Sequence, residues 1–193
     1  MLVLASPESG SKNGGHVPFT DAGDLLPKGW IGGNIAEYDI GVDRNVAKEG
    51  KACAYLKSKT QAPKSFGTIV QTFSAEDYVG KRVRMSALVK AEKIEGWAGL
   101  WMRVDGQGQE EYALSFDNMQ TRPIRGTTDW RRYEVVLDIP EKGKSITFGL
   151  LLEGLGQAWL DDFQFTVVTS DVPVTGQSRL ALPKKPVSLG FEE

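Results

Sequence analysis

Two tryptophans and one arginine stand at alternating positions of a short apolar segment, where their side chains could form a binding surface. In residues 97–104, Trp97, Trp101 and Arg103 fall in one row of side chains, and Gly99 lies between the two tryptophans. Residues four apart on a strand share a face and lie roughly 13 Å from each other. Flat indole rings stack on sugar rings, and a guanidinium donates hydrogen bonds to hydroxyls or carboxylates. The pattern favours a carbohydrate platform; in the alternative, one ring packs under a loop and the other in a core edge.

Polar side chains elsewhere in the chain extend this hypothesis. The segment Asp117–Asp129 is too long for a simple hairpin turn, and long loops in compact domains are often functional. The alternative is an architectural loop, in which Asp117 and Asn118 form turns and satisfy the backbone. The polar residues predicted to contact the ligand beside the tryptophans are Arg84, Arg103, Gln71, Asp117 and Asn118.

Residue types that carry catalysis are scarce in this chain. There is one histidine, His16, in a Gly- and Ser-rich opening, and one cysteine, Cys53, in an alternating apolar run. A Ser-His-Asp or Cys-His arrangement needs a rigidly held histidine, and a His/Cys zinc site needs three or four such ligands. We therefore predict no catalytic residue and interpret Cys53 as a small core residue. The alternative, a glycan-active enzyme, would need a carboxylate pair, for which Asp105, Glu110, Glu111 and Glu153 are candidates by residue type alone.

The charge balance and the hydropathy pattern exclude other classes of partner. A net charge of -2 and an isoelectric point near 5.6 provide no basic field for phosphates, so nucleic acid is not expected as a partner. No run reaches the roughly 18 apolar residues of a membrane helix. The start, MLVLAS, is too short for a signal peptide. A cytoplasmic protein is expected if the chain is complete, and an excised piece of a longer protein otherwise.

The elements that must position these residues are short and alternate in polarity. Turn-rich segments separate nine candidate strands, and no helical period is present, which is typical of an all-β sandwich. Residues 1–25 are predicted to form a flexible arm, 26–169 the sandwich, and 170–193 a linker with a strand-like end. The candidate strands are Tyr38–Val42, Ala52–Ser58, Gly67–Phe73, Arg82–Lys90, Trp97–Val104, Tyr112–Phe116, Arg132–Leu137, Ser145–Leu152 and Ala158–Val168.

Alternation within these strands predicts which side chains face the core. In several strands the opposite face is aromatic and charged, which differs from an ordinary solvated surface. The rows predicted to be buried are Val83, Met85, Ala87 and Val89, then Ala98, Leu100, Met102 and Val104, and then Ile146, Phe148, Leu150 and Leu152.

Several motifs resemble those of one known domain family. They are LPKGW at 26–30, GWAGLWMRVD at 96–105, SFDNM at 115–119, GTTDW at 126–130 and GQAWLDDFQF at 156–165. Together they resemble a galactose-binding-like jelly-roll domain that is fused in bacteria to AraC-type transcriptional regulators and to tail-specific-type proteases. The resemblance covers residues 26–175. It implies a jelly-roll β-sandwich of two antiparallel sheets and does not imply a particular ligand.

The segment GQAWLDDFQF is also similar to the last strand of many carbohydrate-binding modules. That similarity implies a structural calcium ion, held by a carboxylate of the last strand and by an acidic residue of the opening strand. Here the opening-strand pattern is found at the C-terminus, as LGFEE at 189–193. Since Ca²⁺ takes six to eight oxygen ligands, Asp162 with Glu192 or Glu193 would begin the site. No other cofactor is expected.

Two functions remain open at this point. In the first, the domain is a non-catalytic module that binds a carbohydrate on its concave sheet. In the second, it is an interaction or sensor domain whose aromatic face packs on a partner domain, because Trp and Arg are enriched in protein interfaces. The alternating segment VSLGFEE at 187–193 adds to the second function. It could complete the sheet of its own sandwich or that of another copy in a strand-swapped dimer.

Overall fold

The chain folds into an all-β structure, which a computed structural model describes over residues 19–21, 25–107 and 113–178. The described residues include a 3₁₀ turn at Glu76–Tyr78 and contain no helix that could span a membrane. The strands are β1 (Phe19–Asp21), β2 (Trp30–Gly33), β3 (Tyr38–Asp43), β4 (Cys53–Ser58), β5 (Gly67–Ser74), β6 (Arg82–Asp105), β7 (Ser115–Asp117), β8 (Ile124–Asp138), β9 (Ser145–Glu153), β10 (Gln157–Val168) and β11 (Gln177–Ser178).

The strands form two antiparallel sheets that share the long strand β6. The first sheet has the order β3, β4, β10, β6 and β8, and uses the first half of β6, where residues 82–92 pair with β10. The second sheet has the order β1, β2, β5, β9, β6, β7 and β11, and uses residues 97–105 of β6, which pair with β9. The two sheets enclose one core, so the predicted jelly-roll β-sandwich is confirmed.

A bend in β6 carries the chain from one sheet to the other. The candidate strands Arg82–Lys90 and Trp97–Val104 imply a turn between them, at EKIEG (92–96), and that turn is wrong, because β6 continues through it with Lys93 at a φ of 51°. The pairing of β6 with β8 shifts register three times between Val89 and Ala98. At Gly96 a Cβ atom would lie 1.9 Å from the carbonyl oxygen of Glu153, so only glycine fits there. The charged, glycine-containing segment therefore bends the strand and does not reverse it.

The buried rows follow the predicted alternation. All three rows predicted to face the core are buried there, and together they form the main apolar cluster of the molecule. Since successive side chains of a strand point to opposite faces, these rows place Trp97, Trp101 and Arg103 on the outer face of the second sheet. The sequence pattern therefore predicted correctly which face carries the tryptophans.

Other boundaries differ from the expectation. Strand β8 begins at Ile124, so the predicted loop Asp117–Asp129 is reduced to residues 118–123. Strand β1 lies within the predicted N-terminal arm, β11 lies within the predicted linker, and β2 was not predicted. Each of these three strands has four residues or fewer, which is too short for an alternating pattern to be recognised.

Candidate functional site

The outer face of the second sheet carries a small apolar cluster that is separate from the core. It is centred on Trp101, Val70 and Leu151, with Trp97 and Phe116 packed against it. Their strands are neighbours, because β9 lies between β5 and the second half of β6. We call this set, together with Glu153, the tryptophan face. It brings together residues that lie far apart in the sequence.

Trp101 lies buried at the centre of the tryptophan face, with 2% of its surface exposed. Its indole Nε1 donates a hydrogen bond of 3.0 Å to Oγ1 of Thr68 on β5. The Thr68 hydroxyl in turn donates to the carbonyl oxygen of Leu150 at 2.8 Å. Trp101 faces Gly149 across the pairing of β6 with β9, where no side chain stands in the way of the ring. Trp101 therefore forms a fixed floor, and the expected pair of open indole rings is corrected at this position.

Trp97 is the half-buried tryptophan of this face. It stands directly opposite Glu153 in the pairing of β6 with β9. Its Nε1 donates a hydrogen bond of 3.0 Å to Oε2 of Glu153, whose side chain is exposed. No described residue donates to Oε1 of Glu153. An indole plane held by a carboxylate can stack on a ring while the carboxylate accepts hydrogen bonds from hydroxyl groups.

Gly99 makes room for the chain that crosses beside Trp97. A Cβ atom on Gly99 would lie 2.7 Å from the carbonyl oxygen of Asn118 and 3.0 Å from Cβ of Met119. The same atom would lie 3.4 Å from the ring of Trp97. The glycine thus lets the turn after β7 approach the tryptophan face. Asn118 lies at its edge, and its Oδ1 accepts a hydrogen bond from the backbone N–H of Gln120 at 3.1 Å.

Arg103 lies at the far end of the same row and is 7% exposed. Its Nε donates to Oδ1 of Asp105 at 2.7 Å, two residues along the same face. Phe116 of β7 stands opposite Arg103 in the pairing of the two strands. Arg103 is therefore on the predicted face, but its charge is neutralised within the sheet and is not directed at solvent.

Asp117 takes a different place from the one expected. It pairs with Met102, a core residue, so its side chain points to the side away from the tryptophans. Its carboxylate accepts hydrogen bonds from the N–H of Met119 at 2.9 Å and from the hydroxyl of Thr175 at 2.6 Å. Both oxygens also bind the guanidinium of Arg122. Asp117 thus fastens the turn at 118–123, and the expectation that it lies beside the tryptophans is corrected.

Two further predicted contacts lie elsewhere in the fold. Gln71 pairs with Trp30 and Phe148, so it belongs to the core-facing row of β5. Arg84 lies on the outer face of the first sheet, where its Nε is 3.2 Å from Oε2 of Glu134. Arg84 lies away from the tryptophan face because the bend in β6 puts the two halves of that strand into different sheets. Neither side chain can reach a ligand held at Trp97.

The predicted calcium site has competing contacts. The carboxylate of Asp162 binds the guanidinium of Arg132 and the side-chain amide of Gln164. Asp161 accepts the N–H groups of Lys48 and Glu49, each at 2.9 Å. A cation at Asp162 would therefore face a bound guanidinium, so the described residues do not fit one. No three His, Cys, Asp or Glu side chains cluster within the described ranges. Glu192 and Glu193 lie outside those ranges, and calcium stays a prediction.

The groups considered for catalysis occupy structural roles where they are described. Cys53 is buried, and its burial, together with the nearby Asp161 and Asp43 carboxylates, raises the pKa of the thiol to about 11. A thiol with so high a pKa is a poor nucleophile near neutral pH. Asp105 and Glu153 are bound to Arg103 and Trp97. His16, Glu110 and Glu111 lie outside the described residues.

No protein-family model matches the sequence. A relative from Bacillus subtilis (strain 168), described as the uncharacterized HTH-type transcriptional regulator YbfP, is 43% identical over 173 residues. The aligned region is 86% of this chain and 57% of that protein, so the chain spans little more than half of its relative.

Solved structures share the fold at low sequence identity. The CBM22-1 xylan-binding domain of Paenibacillus barcinonensis Xyn10C matches with a TM-score of 0.52 and 20% identity, over 78% of this chain and 99% of that domain. A cyclase from Fischerella sp. TAU matches with a TM-score of 0.50 and 14% identity, over 78% of this chain and 88% of that protein. Binding modules and a catalytic protein therefore share this architecture, and the fold does not by itself decide the function. The chain is an all-β jelly-roll sandwich whose sequence is similar to the larger part of an HTH-type transcriptional regulator.

Proposed function

We propose that this domain is a non-catalytic ligand-binding module of a transcriptional regulator and that it holds a carbohydrate on the tryptophan face. The observation that carries the proposal is the pair of Trp97 and Glu153, a half-buried indole held at 3.0 Å by an exposed carboxylate. The similarity to a regulator and the fold shared with a xylan-binding domain both support it.

The chemistry of the face suits an uncharged polyhydroxylated ring. One face of the sugar would stack on Trp97, and its hydroxyls would donate to Oε1 of Glu153, which no described residue engages. The side-chain amide of Asn118, at the edge of the face, would donate a further hydrogen bond. Stacking combined with a few directed hydrogen bonds is the usual way in which concave sites fix the orientation of a ligand.

The buried residues beneath this site give it rigidity. Trp101, Val70 and Leu151 form a floor without charges, and the hydrogen bond from Trp101 to Thr68 fixes the central ring. A site whose supporting side chains cannot rotate loses less conformational entropy when it binds a ligand. In this proposal Trp101 positions the surface, and Trp97 contacts the sugar.

Calorimetric titration of soluble xylo-, cello-, manno- and galacto-oligosaccharides against the wild-type domain and Trp97→Ala tests the proposal. We expect one sugar class to bind the wild type and to bind Trp97→Ala about tenfold more weakly, which corresponds to about 1.4 kcal/mol. Lys90→Ala, on the outer face of the first sheet, is the matched control and should bind as the wild type does. The proposal fails if no oligosaccharide binds or if Trp97→Ala keeps its affinity.

A second function is favoured by one observation, the partly exposed apolar side chains of Trp97, Phe116 and Ile31 on the outside of a sheet. Exposed apolar surface is also found where a domain packs on a partner domain or on another copy of the chain. Light scattering on the chain and on a form that ends at Pro186 measures the mass in solution. A dimer that is lost on truncation would support a strand-swapped pair through 187–193. Unchanged mass and melting temperature would exclude that role.

A further inference from the structure

A cavity lies at one end of the sandwich, away from the tryptophan face. It has a volume of about 230 Å³ and opens between β2 of the second sheet and β3, β4 and β10 of the first. None of the residues that line it belongs to the tryptophan face. The apolar side chains that line it include Leu26, Trp30, Val42, Ala54, Leu160 and Phe163.

A bulge in β10 shapes this cavity. Asp161 pairs with Leu88 and Gln164 pairs with Ser86, so two residues of β10 lie opposite the single residue Ala87. Asp162, within the bulge, has a φ of 47°, a left-handed conformation that is uncommon for a residue other than glycine. Bulges of this kind redirect a side chain and are frequent beside binding sites.

Hydrogen bonds hold the bulge in place. Asp161 accepts three backbone N–H groups, those of Lys48, Glu49 and Asp162, at 2.8 to 2.9 Å. The carboxylate of Asp162 binds Arg132 and Gln164. The strained backbone is thus supported from several sides, which is the condition under which such strain persists.

The bulge directs Phe163 into the cavity wall. The ring of Phe163 stacks on Trp30 with centroids 5.5 Å apart and an interplanar angle of 29°, and it meets Phe148 edge-on at 4.9 Å. The wall is therefore a pair of parallel aromatic rings backed by a third. Aromatic pairs of this geometry accept a further ring by offset stacking or by an edge contact.

The polar groups at the mouth are already engaged. The carboxylates of Asp161 and Asp162 are occupied by the contacts that hold the bulge, and the other side chains that face the cavity are apolar apart from the indole N–H of Trp30. A charged ligand would have to lose its hydration without gaining a partner of opposite charge, which is costly. Enclosed dry apolar cavities of roughly 150 Å³ bind benzene, and this cavity offers a comparable apolar lining while remaining partly open to solvent. We propose that this cavity is a binding site for a small, uncharged, aromatic molecule of one or two rings.

The indole N–H of Trp30 provides a direct measurement, because Trp30 lines the cavity. Titration with benzene, followed at this N–H by NMR, should give a saturable chemical-shift change. Benzoate, which has the same ring with a charge, should leave the shift unchanged. No shift with benzene, or an equal shift with benzoate, would overturn the proposal.

Substitutions that fill the cavity give an independent test. Val42→Phe and Ala54→Leu should abolish the chemical-shift change that benzene causes at the Trp30 indole N–H, because the added side-chain atoms occupy the cavity. Trp97→Ala should respond to benzene as the wild type does, which separates this site from the tryptophan face. A folded filled variant that still shows the Trp30 shift would contradict the assignment.

Discussion

The outer faces of the two sheets each carry one almost fully buried tryptophan, Trp101 in the second sheet and Trp159 in the first, exposed by 2% and 6%. Each indole N–H is bound by a side chain of its own sheet. Trp101 donates to the hydroxyl of Thr68 at 3.0 Å, and Trp159 donates to a carboxylate oxygen of Asp43 at 3.0 Å. The same residue type is therefore fixed in the same manner at two places, once by a neutral acceptor and once by a charged one.

The residues around Trp101 and Trp159 differ in the same way as their hydrogen-bond acceptors, being neutral around Trp101 and charged around Trp159. Trp101 packs among Val70 and Leu151, with no charged group in the cluster. Trp159 has the ammonium of Lys90 5.8 Å from its ring centre. The first sheet also carries the ion pairs Arg82–Asp138, Arg84–Glu134 and Arg132–Asp162. The centre of the tryptophan face is thus held by neutral contacts, with Glu153 and the Arg103–Asp105 pair at its ends, and such a centre suits an uncharged ring. The outer face of the first sheet is covered with charge pairs and is an ordinary solvated surface, whose pairs each contribute little.

The largest expected effect that tests this comparison is the loss of Trp101. Replacement by Ala leaves a cavity in an apolar cluster, and we expect the free energy of unfolding to fall by about 3–5 kcal/mol. Urea denaturation of Trp101→Ala beside Trp97→Ala measures it. Trp97 is half-buried, so its variant should lose clearly less stability. Equal losses would show that Trp101 is not the floor of the face.

An intermediate effect is expected from the acceptor of Trp101. Thr68→Val keeps the shape of the side chain but leaves the buried indole N–H without a partner, which should cost about 1–3 kcal/mol. Because the lost bond is between neutral groups, the cost should be the same at pH 3 and at pH 7. Thr166→Val, at an exposed position of β10, is the matched control. A cost that changes with pH would contradict the neutral character of this hydrogen bond.

The smallest effect is a dependence on pH at Asp43. The N–H of Asn45 and the indole N–H of Trp159 hold the pKa of the Asp43 carboxyl below its usual range. A lowered folded-state pKa contributes stability above the unfolded value, near 3.9, and this contribution is lost as the pH falls through the folded value. The stability difference between wild type and Asp43→Asn should therefore shrink below about pH 4, while other carboxyls cancel in the comparison. A constant difference between pH 6 and pH 2 would be inconsistent with this role.

Much of the tryptophan face could be predicted from the sequence. The alternation in residues 97–104 placed Trp97, Trp101 and Arg103 opposite a buried row, and the structure confirms it. The same rule applied to β5 would have put Gln71 in the row of Ile69 and Phe73, and thus on the core side. Arg84 could not be placed in this way, because the polar segment after it is compatible with a turn or with a bend.

Other parts of the site depend on partners distant in the chain. Glu153 and Thr68 hold the two indoles, yet they are 56 and 33 residues away from them, and no local pattern indicates such pairs. The burial of Trp101 could not be predicted from the sequence for the same reason. Alternation predicts the face on which a side chain lies, but the neighbouring strands decide whether that face is covered.

The sequence by itself determined that this protein is an all-β sandwich and which side chains face its core, because the period of two is a local property of the strand. Only the tertiary structure decided that β6 bends between the sheets, that Trp101 is a floor, and that a bulge in β10 opens an aromatic-lined cavity. These features depend on the register between strands, and register is set by contacts between residues that are far apart in the chain.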